Sequence, residues 1–302
     1  MNAIRDGSGI TLPEELVFMI LEAAAALYPH TASRLLFLSR AACLWFEPFV
    51  YHTVVLRSMA QSDRFMATVK RRRLRDPEFF QRNVRVIICK IPGGQTHDGA
   101  LEQVLQACSH VVHVSCAAAI AISQSLPADA LRSLRYLNVH GDHIPSSPTV
   151  THLVLRQSLE QIRRPALSMM RRLRCFPNLT HMCLNVKLVQ ASREVATGVL
   201  EAVLLDRPHS LQRIVVVFQF GIAWTWGAIP QYRIINDVVQ GRTTPICFAV
   251  FPASVEAEVM MSPNVIRSRD VAAVLGWDIP SADTIWTRAE AMSSSASRKT
   301  DV

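Results

Sequence analysis

A short β-prone run that keeps returning in similar form constrains the fold more than any other feature of this chain. The runs cover residues 84–89, 111–115, 134–139, 150–155, 179–184, 211–218 and 246–251. Several are entered through a turn residue and then read L-x-x-L-x-L or close to it. Ser133-Leu134-Arg135-Tyr136-Leu137-Asn138-Val139 is one, Asn178-Leu179-Thr180-His181-Met182-Cys183-Leu184 another, and Ser210-Leu211-Gln212-Arg213-Ile214-Val215-Val216 a third. Amphipathic helix candidates lie between them, at 99–108 (Leu101, Val104, Leu105, Cys108) and 192–206 (Val195, Val199, Val203).

A strand and a helix of this size cannot bury their apolar faces alone. Stacked side by side they build one continuous core along a parallel sheet. The spacing of the runs, roughly 17 to 35 residues, is that of an irregular leucine-rich-repeat-like solenoid. An ordinary α/β domain with a parallel sheet shows the same alternation. Either way the class is α/β. Half of the 302 residues are hydrophobic, which is ample for a sizeable core.

The first sixty residues differ in kind. Residues 1–10 read as a flexible end. Thr11 then caps a helix, with Glu14 as its capping-box partner and Pro13 in the first turn. Leu12, Leu16, Met19, Ile20, Ala23 and Leu27 recur at helical spacing. Pro29-His30-Thr31 breaks that helix. A second one carries Leu35, Leu38, Ala42, Trp45 and Phe49 as its stripe and closes at Trp45, because Pro48 disfavours helix at Glu47. Residues 50–56 read as extended, 62–73 as a helix, and 268–275 and 281–292 as short serine-capped helices. Trp277 and Trp286 are read as sealing the open end of the stack. The Ser/Lys-rich tail at 291–302 reads as disordered. The organisation expected is therefore a flexible 1–10, a helical module at 11–58, an α/β domain at 59–290 and the tail.

No motif for catalysis appears. Gly93-Gly94-Gln95-Thr96-His97-Asp98-Gly99 lacks the G-K-S/T ending of a phosphate loop and reads as a turn. There is no G-x-S-x-G elbow, and no two carboxylates can be placed on one face for acid/base work. His140/His143 and His110/His113 each lack a second ligand pair, and the latter two are read as pointing to opposite faces of a strand. No metal and no cofactor is expected. Trp224-Thr225-Trp226 reads as a core or edge pair, or as an interface anchor.

The seven cysteines are scattered, odd in number and without C-x-x-C spacing, which fits a reduced compartment, cytoplasmic or nuclear. No secretory signal and no uncharged apolar run of about 18 residues is seen, so no membrane span is expected. The net charge of +8 is fed by Lys70-Arg71-Arg72-Arg73-Leu74-Arg75. That run reads as a solvated helix end complementing the dipole, or as an import signal or phosphate patch. A nucleic-acid surface usually interleaves aromatics with positive charge, and Phe65, Phe79 and Phe80 fit a core pattern as well, so a basic nucleic-acid-binding protein stands as the lesser alternative.

The opening helix pair resembles the F-box family. The matching residues are Leu12-Pro13-Glu14-Glu15-Leu16 and Ile20-Leu21, then Leu35-Leu36, Leu38-Ser39-Arg40, Cys43 and Trp45. Tyr51-His52-Thr53-Val54-Val55-Leu56 and Asp76-Pro77-Glu78-Phe79-Phe80 are similar to the segments that follow the F-box in fungal proteins of this type. The resemblance implies a non-enzymatic adaptor of an SCF-type ubiquitin ligase. Its helices would dock on the Skp adaptor and so reach the cullin scaffold, while the repeats hold an unknown protein substrate. By position in the motif, Leu12, Pro13, Leu16, Ile20, Leu21, Leu38 and Trp45 would be adaptor-contact or module-core residues. Without an adaptor, the same helices read as a cap closing the repeat stack, which leaves a protein-interaction scaffold.

Overall fold

The protein is described here from a computed structural model covering residues 4–5, 11–91, 100–119, 131–140, 147–155, 173–188, 201, 208–220, 247–252 and 265–268. The expected features at 93–99, 141–143, 224–226, 269–275, 277, 281–292 and 291–302 lie outside these residues. So do those at 192–206 apart from Glu201, which is helical. Ser268, expected to cap a helix, instead ends a strand.

The N-terminal segment departs from expectation at its first turn. Thr11 is not a helix cap. Thr11–Leu12 (β2) pairs antiparallel with Ile4–Arg5 (β1), a short ladder where a frayed end was expected. Helix α1 (Glu14–Leu27) starts instead at Pro13, with no side-chain cap. The Pro13 carbonyl accepts from Leu16 and Val17. Pro29 then disfavours helix at Tyr28, whose backbone (φ −127°, ψ 87°) leaves the helical region and ends α1. The same proline opens α2 (Pro29–Leu35) at N1, where a missing N–H leaves nothing unsatisfied.

The second helix read from sequence is two helices. A turn after Leu35 ends α2, and Ser39 starts α3 (Arg40–His52) by accepting from the Ala42 N–H at 3.0 Å. Nor does α3 close at Trp45. It runs through Pro48 to His52. The proline removes the donor for the Leu44 carbonyl, and Leu44 lies on the exposed face, where water can replace it. Ala25, Ala32, Leu35, Ala42 and Phe46 form a small core among these three helices, with Phe18, Leu21, Leu36, Phe49 and Val50 packed against it.

His52 leads directly into β3 (Thr53–Leu56). Ser58 then caps α4 (Met59–Arg73), while the Gln61 side chain reaches back to the Arg57 N–H at 2.7 Å. After α5 (Phe79–Asn83) come β4 (Val86–Cys89), α6 (Ala100–Ala107) and β5 (His113–Ala119). The remaining strands are β6 (Tyr136–His140), β7 (His152–Leu155), β8 (His181–Leu188), β9 (Arg213–Phe220), β10 (Cys247–Pro252) and β11 (Val265–Ser268). The last was not foreseen.

Strands β3 to β11 form one sheet in strict sequence order, every neighbouring pair parallel. The fold is therefore α/β with a parallel sheet. Ile87, Val114, Leu137, Leu153, Met182 and Ile214 share one register position, and all belong to the main core. Val69 of α4 and Leu101, Val104 and Leu105 of α6 pack on that face.

The strands begin later than the β-prone runs that announce them. Val84, Val111, Leu134, Val150, Leu179 and Leu211 each lie two residues before a strand and are buried. They plug the core from a tight turn. The Val111, Leu134, Leu179 and Leu211 N–H groups donate three residues back, to Cys108, Leu131, Phe176 and Pro208. The next carbonyl then accepts two N–H groups from the following unit. Arg85 accepts from Val112 and His113, Arg135 from Thr151 and His152, and Thr151 from Thr180 and His181. The leading Leu or Val of each L-x-x-L run therefore belongs to a turn.

Candidate partner-binding surfaces

On α1 and α3 the apolar residues outnumber the positions their small core can hold. Leu16 is 45% exposed, Ile20 58%, Trp45 49% and Leu38 66%. Met19, Leu44 and Phe37 are exposed with them. The Trp45 ring stacks on Phe18 with centroids 4.6 Å apart. Beside it a shallow pocket of about 350 Å³ is lined by Glu15, Phe18, Met19, Glu22 and Trp45.

The structure thus brings Leu16, Ile20 and Trp45 outward on two neighbouring helices, and leaves Leu38 exposed in the turn before α3. Pro13 is exposed at the α1 N-terminus, and Leu21 is half-buried against the small core. Leu12 sits in β2. The stripe expected through Leu35, Leu38, Ala42 and Trp45 is divided. Leu35 and Ala42 are buried, while Leu38 and Trp45 are not, because the break after α2 rotates the two halves. Phe37 and Leu44 were not foreseen, since neither fits the stripe.

The basic run does two jobs. Lys70, Arg71 and Arg73 are exposed in the last turn of α4. Arg72 is structural. It donates to Glu47 Oε2 at 2.8 Å and lies 4.4 Å above the Phe79 ring, tying α4 to α3 and α5. Tyr51 meets the Phe79 and Phe80 rings edge-on at the same junction. Burial there, and then the nearby Glu47 charge, push its phenol pKa up.

A third feature lies on the sheet face opposite the main core. His113, Tyr136, His152, His181 and Arg213 occupy one register position on five successive strands. Their rings form a ladder: Tyr136 and His152 have centroids 4.3 Å apart, and His152 and His181 4.2 Å apart with planes 5° from parallel. Each of the last two imidazoles is held by the threonine before it. Thr151 Oγ1 lies 2.9 Å from His152 Nδ1, and Thr180 Oγ1 lies 2.8 Å from His181 Nδ1. The Thr180 hydroxyl donates to the Thr151 carbonyl at 3.1 Å, so it accepts from His181, which fixes the Nδ1–H tautomer. Burial, and secondarily the neighbouring His181, lower the His152 pKa to about 3, so this ring is neutral.

His113 lies in β5, but His110 lies in the exposed turn before it, which corrects the reading of both on one strand. The ladder was missed as a feature. Its signal is in the sequence: the residue two beyond each buried entry residue Val111, Leu134, Val150 and Leu179 is His, Tyr, His and His. Among the described residues no three metal-ligating side chains converge, and no helix is long and apolar enough to cross a membrane. No family model matches the sequence, and neither a curated protein nor a solved structure shows significant similarity to it.

Proposed function

We propose that the chain is an F-box-like substrate-recognition adaptor. In this reading its N-terminal helices (11–58) bind the Skp adaptor of an SCF-type ubiquitin ligase, and residues 59–290, read as an irregular leucine-rich-repeat-like solenoid, hold the protein to be modified. The observation that carries the reading is the apolar surface of α1 and α3. Leu16, Met19, Ile20 and Trp45 stay outside a small core that is distinct from the main one. Contiguous apolar surface on a helix pair is what a partner helix covers.

The same reading needs no catalytic residue in this chain. Holding a captured lysine near a loaded conjugating enzyme raises its effective concentration, and the partner enzyme performs the transfer. The in-order parallel sheet supports the solenoid reading, because a chain that always adds at the same edge builds an elongated array.

The test is co-purification of the full chain with the Skp adaptor and cullin. Wild type is expected to recover both, and Leu16→Asp with Ile20→Asp to lose them. Recovery of neither by wild type, with capture of protein partners retained, would instead make the chain an interaction scaffold without ligase coupling. Unchanged recovery by the double variant would also defeat the reading.

A further inference from the structure

The edge of the sheet where the strands begin is distinctive in its charge. The described turn-and-strand units at 84–91, 108–119, 131–140, 147–155, 173–188 and 208–220 contain no Asp or Glu. They contain several arginines, and three of these are placed by backbone hydrogen bonds at the entry turns. Arg85 Nη1 donates to the His110 carbonyl at 3.1 Å, Arg135 Nη1 to Thr149 at 3.0 Å, and Arg213 Nη1 to Gln212 at 2.8 Å. Each such bond uses one of the five guanidinium donors and holds the plane in position. Arg213 Nε is buried and makes no hydrogen bond among the described residues.

The basic end of α4 extends this edge. Helix α4 ends at Arg73 and the chain enters β4 soon after. Helix α4 packs beside α6, whose end at Ala107 leads into the entry turn of β5. The carboxylates of this region are largely committed: Asp76 is bound by Arg82 through both oxygens, and Glu47 by Arg72, leaving Glu78 exposed.

We propose that this strand-entry edge docks an extended, carboxylate-rich segment of a partner protein. Strands about 4.8 Å apart put roughly 24 Å between β4 and β9, which an extended peptide at about 3.4 Å per residue covers with about seven residues. Fixed guanidinium forks suit carboxylates, which they can grip with two parallel hydrogen bonds. The adjoining ring ladder does not suit a single-stranded nucleic acid. Its facing His152 and His181 rings are already stacked on each other, which leaves no room for a base between them. The proposal holds whether or not the N-terminal helices bind an adaptor.

The experiment uses the full chain and a fluorescein-labelled decapeptide of Asp and Glu, read by anisotropy. A labelled oligo-dT and a short DNA duplex are titrated in parallel. Saturable peptide binding is expected, weakening with added salt. Arg85→Glu with Arg135→Glu should weaken it at least about tenfold. Arg34→Glu, at an exposed position of α2, should leave it unchanged. If the double variant melts early, Arg85→Gln and Arg135→Gln are measured singly, each expected to cost about threefold. Absent peptide binding, equal affinity in the folded edge variants, or tighter binding of either nucleic acid would overturn the proposal. Adaptor co-purification does not enter this assay, so either reading can fail alone.

Discussion

His152 shows how far surroundings reset a residue. In the unfolded chain an imidazole titrates near pH 6.5; in the fold, burial and then the His181 neighbour hold it near 3. Between those values the unfolded chain binds the extra proton, so stability present at neutral pH is lost as the pH falls through 6.5 toward 3. Thermal melts followed by circular dichroism should show the midpoint falling from pH 7 to 4. His152→Gln should flatten that dependence, and an identical slope in the variant would place its origin elsewhere. Cys108 is the thiol counterpart, pushed up to about 12 mainly by burial. Iodoacetamide at pH 8 should therefore spare Cys108 in the native protein and label the part-exposed Cys43 and Cys175, as read by peptide mass spectrometry. Phe46 is fully buried in the small helical core, so Phe46→Ala should cost about 3–5 kcal/mol of unfolding free energy in urea titration.

The elements were legible where their signals are local. The helix expected at 62–73 is present as α4, though it starts at Met59 because the Ser58 cap was not read, and β-branched runs announce β4 and β9. Boundaries failed where a local signal had two outcomes. Thr11 had a capping-box partner in Glu14, yet a ladder with Arg5 claimed its backbone. Pro48 should have ended a helix, yet packing of Phe46, Phe49 and Val50 on one small core outweighs a lost hydrogen bond on the exposed side. The break after α2 depends on Ser39, whose cap was not read from sequence. Ser39→Ala removes the acceptor for the Ala42 N–H and should lower stability by about 1 kcal/mol, measurable as a lower melting temperature. The strands were foreseen about two residues early, because a buried leucine in a turn reads like a buried leucine in a strand.

At the scale of the molecule, two apolar populations behave differently. The row from Ile87 through Leu153 to Ile214 is sealed between sheet and helices, so Leu153→Asp puts a charge where no water reaches and should abolish the folding transition. Leu16 and Ile20 lie outside, so Leu16→Asp with Ile20→Asp should leave the thermal midpoint of the free chain nearly unchanged. A large drop would mean that these side chains support the fold. The alternation of short strands and helices, the buried residue opening each unit and the His/Tyr positions of the ladder were written in the chain itself, because residues close in sequence set helical and strand periods and turns. Which greasy side chains of α1 and α3 stay outside, which rings stack and which arginines line one edge were decided by the tertiary structure. Those outcomes depend on neighbours that lie tens of residues away until parallel pairing brings them to one register.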